Sequence, residues 1–471
     1  MRRSSRSCPP HSFCLHRRED RKETVRDNAR KLRYLVIPIA AVGLATGIEW
    51  ATNTPVEAAV SVADWQASGF GPSTYSAAII EADAQVALGR ERTQNGSEQW
   101  LRQENLARAY LTRSHLDFSY DDLSRAGETL TRATKLAPSP SGPLLTDAVF
   151  GLRSHQLERA QASLSAIGQW VVQADPSIMA EAAGLRGDIA FYRGAMIQAR
   201  AEYQGAARLS HDAGVAYRLA TLAKSRGDFE AAIGHFANAN ADPRASTPFA
   251  NASAAMQIGG VELARGDYRA ARSWFETADR LFPGFWLIEA HLAQAKALTG
   301  DLEGAIAAMR DVASRAPSAE VLDALAMLLR ANGQTRESRT WAERSAVIWK
   351  KRIAQLPEAA YGHAVEHELV FGSPLRALYL ARKNLAARPY GESRILVAAA
   401  LLSNGSAKEA LQQLDLAEKS GWRSAPLYAL RAQAYELSGQ PDLASIARDT
   451  AKSLNPRIFE AETSLVWLSH G

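Results

Sequence analysis

His363-Ala-Val-Glu366-His367 is the one stretch of this sequence whose residue types and spacing suit bond-breaking chemistry. On a helix, His363 and His367 lie four residues apart and face one way, as two ligands of one metal ion must, and Glu366 beside them would act as general base. That chemistry is zinc-dependent hydrolysis, and it needs a third ligand from elsewhere in the chain. Other catalytic signatures are missing: the sequence has no G-x-x-x-x-G-K-[ST] phosphate loop, no G-x-S-x-G elbow and no G-x-G-x-x-G between a strand and a helix. Both cysteines, Cys8 and Cys14, lie near the N-terminus. From residue 15 onward there is no thiolate nucleophile, Cys-ligated zinc or disulfide to consider.

The elements that would have to position the two histidines repeat along the chain. Gly227-Asp-Phe-Glu-Ala-Ala232 followed by Phe236 returns as Gly266-Asp-Tyr-Arg-Ala-Ala271 followed by Phe275. In each copy small and large apolar residues recur at helical spacing after a Gly-Asp turn, and an Ala/Leu-rich helical segment precedes the turn. The turn glycine recurs at Gly194, Gly227, Gly266, Gly300, Gly333, Gly372, Gly405 and Gly439, at intervals of 33, 39, 34, 33, 39, 33 and 34 residues. Seventeen residues after four of these turns a proline ends the second helix, at Pro283, Pro317, Pro389 and Pro456. Pro138 belongs to the same series, with Asp121 in the turn position, and the copy from Pro143 to Pro176 has no alignable turn glycine. The extra residues of the 39-residue intervals fall in the loop Asp242–Pro248 and in a longer helix through Trp349–Pro357.

Helix, tight turn and helix in units of about 34 residues, with small residues at the crossing and a terminal proline, resembles the tetratricopeptide repeat family over roughly residues 100 to 456. The resemblance implies an all-α fold, an α-solenoid of about ten stacked helix-turn-helix pairs whose first helices line an inner, partner-binding surface. Counting back from each turn glycine, it places Tyr217, Thr221, Lys224, Met256, Leu263, Gln294, Asp323, Met327, Arg330, Glu366, Glu392, Gln433 and Glu436 there. The lysine and asparagine pattern by which some relatives clamp a C-terminal carboxylate is absent, so that ligand class does not carry over. The order H-x-x-E-H resembles the inverted zincins, which take a third ligand from a distant acidic residue of a large α/β fold. Here the string sits in the first helix of an ordinary repeat. Trp274, Trp286, Trp341 and Trp349 offer flat faces for sugar stacking, but Trp274 precedes the packing residue Phe275 and Trp341 precedes Ala342, so packing roles are expected.

Composition agrees with helices. Hydrophobic residues make up 46% of the chain but aromatics only 8%, so Ala and Leu carry the apolar content. The net charge of +5 is local to one end: residues 1–33 hold eleven Lys or Arg against four Asp or Glu, and removing them from 55 and 50 leaves 44 against 46. With a nearly neutral folded part, a nucleic-acid-binding reading loses its main support, since a pI produced by a tail is not a basic face on a domain.

Residues 1–33 read as a disordered basic tail. Arg30, Lys31 and Arg33 then abut fifteen uncharged residues, Tyr34 to Ile48, a positive n-region and an apolar h-region, with a small-residue cleavage site at Val56-Glu57-Ala58. At about 1.5 Å per residue the run reaches only ~22 Å, short of the ~30 Å hydrocarbon core, which favours a signal peptide over a retained anchor. A translation start near Val25 would make it an ordinary signal. In either case the repeats are expected outside the cytoplasm, in the periplasm, free or anchored to the inner membrane. The expected organisation is thus a tail (1–33), a signal peptide or anchor (34–58), a capping region with a helix from Thr74 (59–99), the repeat array (100–456) and a C-terminal capping helix (457–471). The expected activity is non-enzymatic binding of a protein or extended peptide, with no cofactor, no nucleic acid, and membrane contact only through residues 34–48. The alternatives are the zinc hydrolase and a cytoplasmic regulator of the same architecture.

Overall fold

The computed structural model describes residues 60–62, 65, 70–169, 174–210, 212–239 and 246–468. The basic tail, the apolar run with its cleavage site, and Asp242–Arg244 of the long loop lie outside the described residues. Within them the chain is all-helical. Helix α1 (Tyr75–Gln94) is followed by ten antiparallel pairs: α2 (Trp100–Asp117) with α3 (Tyr120–Leu136), α4 (Leu144–Arg153) with α5 (Leu157–Ile167), α6 (Pro176–Tyr192) with α7 (Met196–Leu209), α8 (Ala213–Arg226) with α9 (Phe229–Asn238), and α10 (Pro248–Arg265) with α11 (Tyr268–Leu281). The series continues with α12 (Trp286–Leu298) and α13 (Leu302–Arg315), α14 (Ala319–Ala331) and α15 (Thr335–Gln355), α16 (Pro357–Val370) and α17 (Pro374–Ala387), α18 (Gly391–Ser403) and α19 (Ala407–Lys419), and α20 (Ala425–Leu437) and α21 (Pro441–Leu454). This is a tetratricopeptide-like helical-repeat solenoid.

The turns explain why the pairs form where they do. Gly194, Gly227, Gly266, Gly300, Gly333, Gly405 and Gly439 all sit in the left-handed region that ends a helix, and the aspartates after three of them, Asp228, Asp267 and Asp301, cap the next helix by accepting the N–H three residues on. Gly372 does not: there the Glu368 carboxylate accepts the Ser373 N–H at 3.0 Å and a proline starts the helix. The copy without a turn glycine uses His155, at φ 59°, in the same left-handed place. In the first pair that residue is Phe118, at φ 56°, rather than Asp121. The second helix starts a turn earlier than the glycine alignment implies, and Asp121 lies on its half-buried first turn, paired with Lys351 and Gln355.

Ala232, Ala271, Ala305 and Ala410, each five residues past a turn glycine, are fully buried where paired helices cross. Some crossings are closer still: a Cβ on Gly259 would run into the Phe275 ring, and one on Gly127 into Phe150. First helices in the middle of the stack are buried almost all round. In α12, α14 and α18 ten of thirteen residues are inaccessible, as for helices covered on every side. The exposed large apolar residues Ile197, Val347, Leu375 and Ile446 lie on second helices.

What encloses the first helices is the chain itself. The solenoid coils tightly enough that residues 170 to 239 positions apart meet. Trp286 Nε1 donates to Leu116 O at 3.2 Å, Tyr120 Oη to Ala359 O at 3.0 Å, and Arg423 N to Ser225 O at 3.3 Å. Phe191 and Tyr192 pack with Tyr390, and Phe191 also with Trp422. At the N-terminal end α1 lies along α2, capped by Thr74 as expected, but it is tied further down the stack too: Tyr75 N donates to Pro283 O at 3.1 Å and Trp65 meets Trp274 edge-on with centroids 5.4 Å apart.

The segment after Pro456 departs from expectation. It forms a single 3₁₀ helix, Ala461–Leu465, followed by extended chain, and it packs against α12 and α14 instead of covering the last pair. Its apolar residues Leu465, Val466, Trp467 and Leu468 are buried in the same core as Phe275 and Trp286. Five residues do not complete a helix that could span the width of α21, and the buried faces open to them lie inside the coil.

Candidate peptide-binding surface

The inner surface is best seen from Gln294, on buried α12 and itself only 1% exposed. Its Oε1 accepts the N–H groups of Trp467 and Leu468 at 2.6 and 2.7 Å, and its Nε2 donates to Leu468 O at 2.9 Å. One side-chain amide thereby satisfies three main-chain groups of two successive residues. Trp467 packs on Phe371, at 6.1 Å between centroids, and the Arg330 guanidinium covers that ring at 4.9 Å while donating to Val370 O. Upstream, the hydroxyls of Tyr268 and Thr463 are 2.8 Å apart, and Arg457 lies over the Tyr268 ring. Asn455 fits against Gly266, where no Cβ could be accommodated.

A second cluster occupies the coil around α16 and α18. Asp323 is completely buried, with Trp349 Nε1 donating to Oδ2 at 2.8 Å and His367 Nδ1 joined to Oδ1 at 2.8 Å. Burial pushes the Asp323 carboxyl up, against the opposing hydrogen bonds of His367 and Trp349. Next to it Arg352 Nη1 donates to Glu320 Oε1 at 2.6 Å. Burial favours the neutral form of Glu320, but Arg352 outweighs it and holds the carboxyl below its usual range. Glu392 accepts the Tyr390 hydroxyl at 2.9 Å and is raised by burial. Lys224 is lowered to about 8 by burial, against the attraction of Glu392, and has no ion-pair partner among the described residues.

The string His363–His367 falls within this cluster. His363 stacks on Trp349 and joins Glu366 Oε2 at 3.1 Å, whereas His367 turns to Asp323 on another helix. Burial lowers the His363 proton affinity, but the hydrogen bond and charge of Glu366 outweigh it and raise it overall. The two imidazoles therefore serve different carboxylates, and among the described residues no group of three or more His, Cys, Asp or Glu side chains could hold a metal ion.

The structure sorts the predicted inner-surface residues by what they already hold. Met256, Leu263 and Met327 are core. Gln294, Asp323, Arg330, Glu366, Glu392 and Glu436 are engaged, the last in an ion pair with Arg448. The remaining ones are Gln433, whose buried Oε1 has no hydrogen-bond partner, and three residues on one face of α8. Of these, Tyr217 packs edge-on to Phe236 with its buried hydroxyl unpaired, Thr221 is exposed with its hydroxyl donating to Tyr217 O at 3.0 Å, and Lys224 is the cation described above. The sequence reading missed the occupants: His155 and Arg388, which join at 3.0 Å, and the strand 465–468. A signal for the strand was present, since four successive apolar residues past the last repeat proline need a place to be buried. An outward cavity of about 510 Å³ between α3 and α4–α5 is lined by Arg132, Lys135 and Arg159, but Arg159 is spent on Asp147 at 2.6 Å.

No protein-family model matches the chain, and no curated protein matches it. Solved structures to which the chain is similar include a Rap protein complexed with Competence and Sporulation Factor, at 11% identity over 68% of this chain and 98% of that one, TM-score 0.41. A monomeric mutant of IFIT1 with Gppp-AAAA aligns at 13% identity over 79% of this chain and 95% of that one, TM-score 0.38. BtubC from P. vanneervenii aligns at 17% identity over 51% and 90%, TM-score 0.28.

Proposed function

We propose that this protein is a non-enzymatic scaffold of the tetratricopeptide type that binds an extended peptide segment of another protein along its inner surface. The observation that carries the reading is the grip of Gln294 on the main chain of residues 467–468. A surface that satisfies the N–H and C=O groups of a main-chain segment while burying its side chains has the chemistry of peptide recognition. The face Tyr217, Thr221, Lys224 offers a buried hydroxyl with no hydrogen-bond partner and a cation with no ion-pair partner among the described residues, beside the exposed Thr221. A photoreactive residue at exposed Thr221 of the full chain is expected to form adducts with a partner protein in cells, while one at Ile197, which is 90% exposed on a second helix, is expected to form none. Equal labelling at both places, or none at Thr221, refutes an inner-surface scaffold.

The scaffold acts outside the cytoplasm in this proposal, delivered by the basic cluster and uncharged run that end at Ile48. Fusion of residues 1–62 to a reporter active only after export gives an active reporter if this holds. A stably expressed but inactive fusion refutes it.

A further inference from the structure

Resting on the scaffold reading, we propose that residues 463–468 are a resident competitor, and that the seat they fill receives an apolar, extended segment of the partner in their place. Three features support exchange. The hydrogen bonds to Gln294 read main-chain atoms alone, so a segment of another sequence that takes up the same main-chain conformation satisfies them. The contacts that discriminate are apolar: Leu465, Val466, Trp467 and Leu468 are all buried, with Trp467 on Phe371, so the replacement has an aromatic residue flanked by aliphatic ones. The occupant is also separable from the fold. Asn455 at Gly266 and Arg457 over Tyr268 hold the chain before Glu460, so these anchoring contacts lie outside the seat, and beyond them one 3₁₀ turn leads into it. An empty seat would expose Phe371 and its neighbours, which favours exchange over simple release.

The apparent affinity of an external peptide is its intrinsic affinity reduced by the fraction of seats left open. Weakening the resident strand must therefore strengthen binding in trans. The experiment titrates a fluorescent peptide of residues 461–468 into the full-length protein and into the full-length Trp467→Ala variant. We expect binding to the variant to be tighter by about tenfold or more. A peptide N-methylated at the positions of Trp467 and Leu468, which lacks the two donors to Gln294, is expected to lose that binding while every protein remains unaltered. Equal affinity of wild type and variant refutes competition, and undiminished binding of the methylated peptide refutes the Gln294 grip. A concentration-dependent dimer of the wild type with exchanged C-termini, seen by sedimentation, would assign the seat to a second copy and overturn the partner assignment. Failure here together with adducts at Thr221 removes this inference and leaves the scaffold standing, whereas absence of those adducts removes both.

Discussion

Gly266 and Gly300 end the first helices of adjacent pairs in the same conformation, at φ 85° and 99°, yet their surroundings differ. A Cβ at Gly300 would meet nothing within 4 Å, whereas one at Gly266 would collide with the side-chain amide of Asn455, which is 3% exposed and accepts the Arg457 N–H at 2.9 Å. Alanine at either position pays for a left-handed backbone, about 1 to 2 kcal/mol. Only Gly266→Ala adds the overpacking term, about 1 to 3 kcal/mol for a buried neighbour that has to move. Gly300→Ala is therefore expected to cost ~1 to 2 kcal/mol and Gly266→Ala ~2 to 5. The loss in Gly266→Ala should appear as faster hydrogen exchange in residues 455–468 as well as at the turn, because displacing Asn455 loosens the root of the C-terminal strand. Gly300→Ala should leave 455–468 protected. Equal destabilisation by the two variants, or unchanged protection of 455–468 in Gly266→Ala, would show that the strand is not docked on the α10–α11 turn.

Three further outcomes are expected. Ala271→Leu adds three carbons to a fully buried crossing and should cost about 1 to 3 kcal/mol, with hydrogen-exchange losses centred on residues 227–300; unchanged protection there would mean a wrong repeat register. His367→Ala removes one of the partners of fully buried Asp323 and should cost about 1 to 3 kcal/mol in urea unfolding, while His363→Ala with His367→Ala leaves metal content unchanged; loss of a stoichiometric metal would revive the hydrolase. Lys224→Met should stabilise the protein near neutral pH. Burial brings the Lys224 ammonium down to about 8 from its ordinary 10.5, so between those pH values the unfolded state holds the extra proton and wild-type stability climbs. The advantage of the variant is full below about 8 and disappears toward 10.5, and a gain independent of pH would refute the assignment.

The repeat is legible in the sequence because every unit is built from contacts between neighbours. A Gly-Asp turn sets one helix end and the next helix start, and an alanine five residues later marks the crossing; both are local in sequence, and Ala232, Ala271, Ala305 and Ala410 were identifiable on that basis alone. His155 and Phe118 escaped because a left-handed residue other than glycine leaves no compositional mark. Fates within the inner surface also escaped, since they depend on the superhelical coil. A few degrees of rotation per pair decide whether Asp323 faces solvent or is enclosed by Trp349 and His367, and no single repeat encodes that sum.

That coil also sets what a partner must overcome. The strand that fills the Gln294 seat is tethered at Asn455, so it returns to the seat at an effective concentration of about 1 mM, as short flexible linkers provide. A free peptide of equal intrinsic affinity supplied at micromolar concentration would lose to it by about a thousandfold. Exchange then requires a partner with a second foothold, so that its own apolar segment is also delivered intramolecularly. The polar face of α8, Tyr217 with its unpaired hydroxyl, exposed Thr221, and Lys224 with no ion-pair partner among the described residues, is such a foothold on first helices of the same coil. Binding by a two-point partner would be selective even though the Gln294 hydrogen bonds ignore side chains. A single-point competitor of the same sequence would be largely excluded, because only the two-point ligand matches the tether that the strand already has.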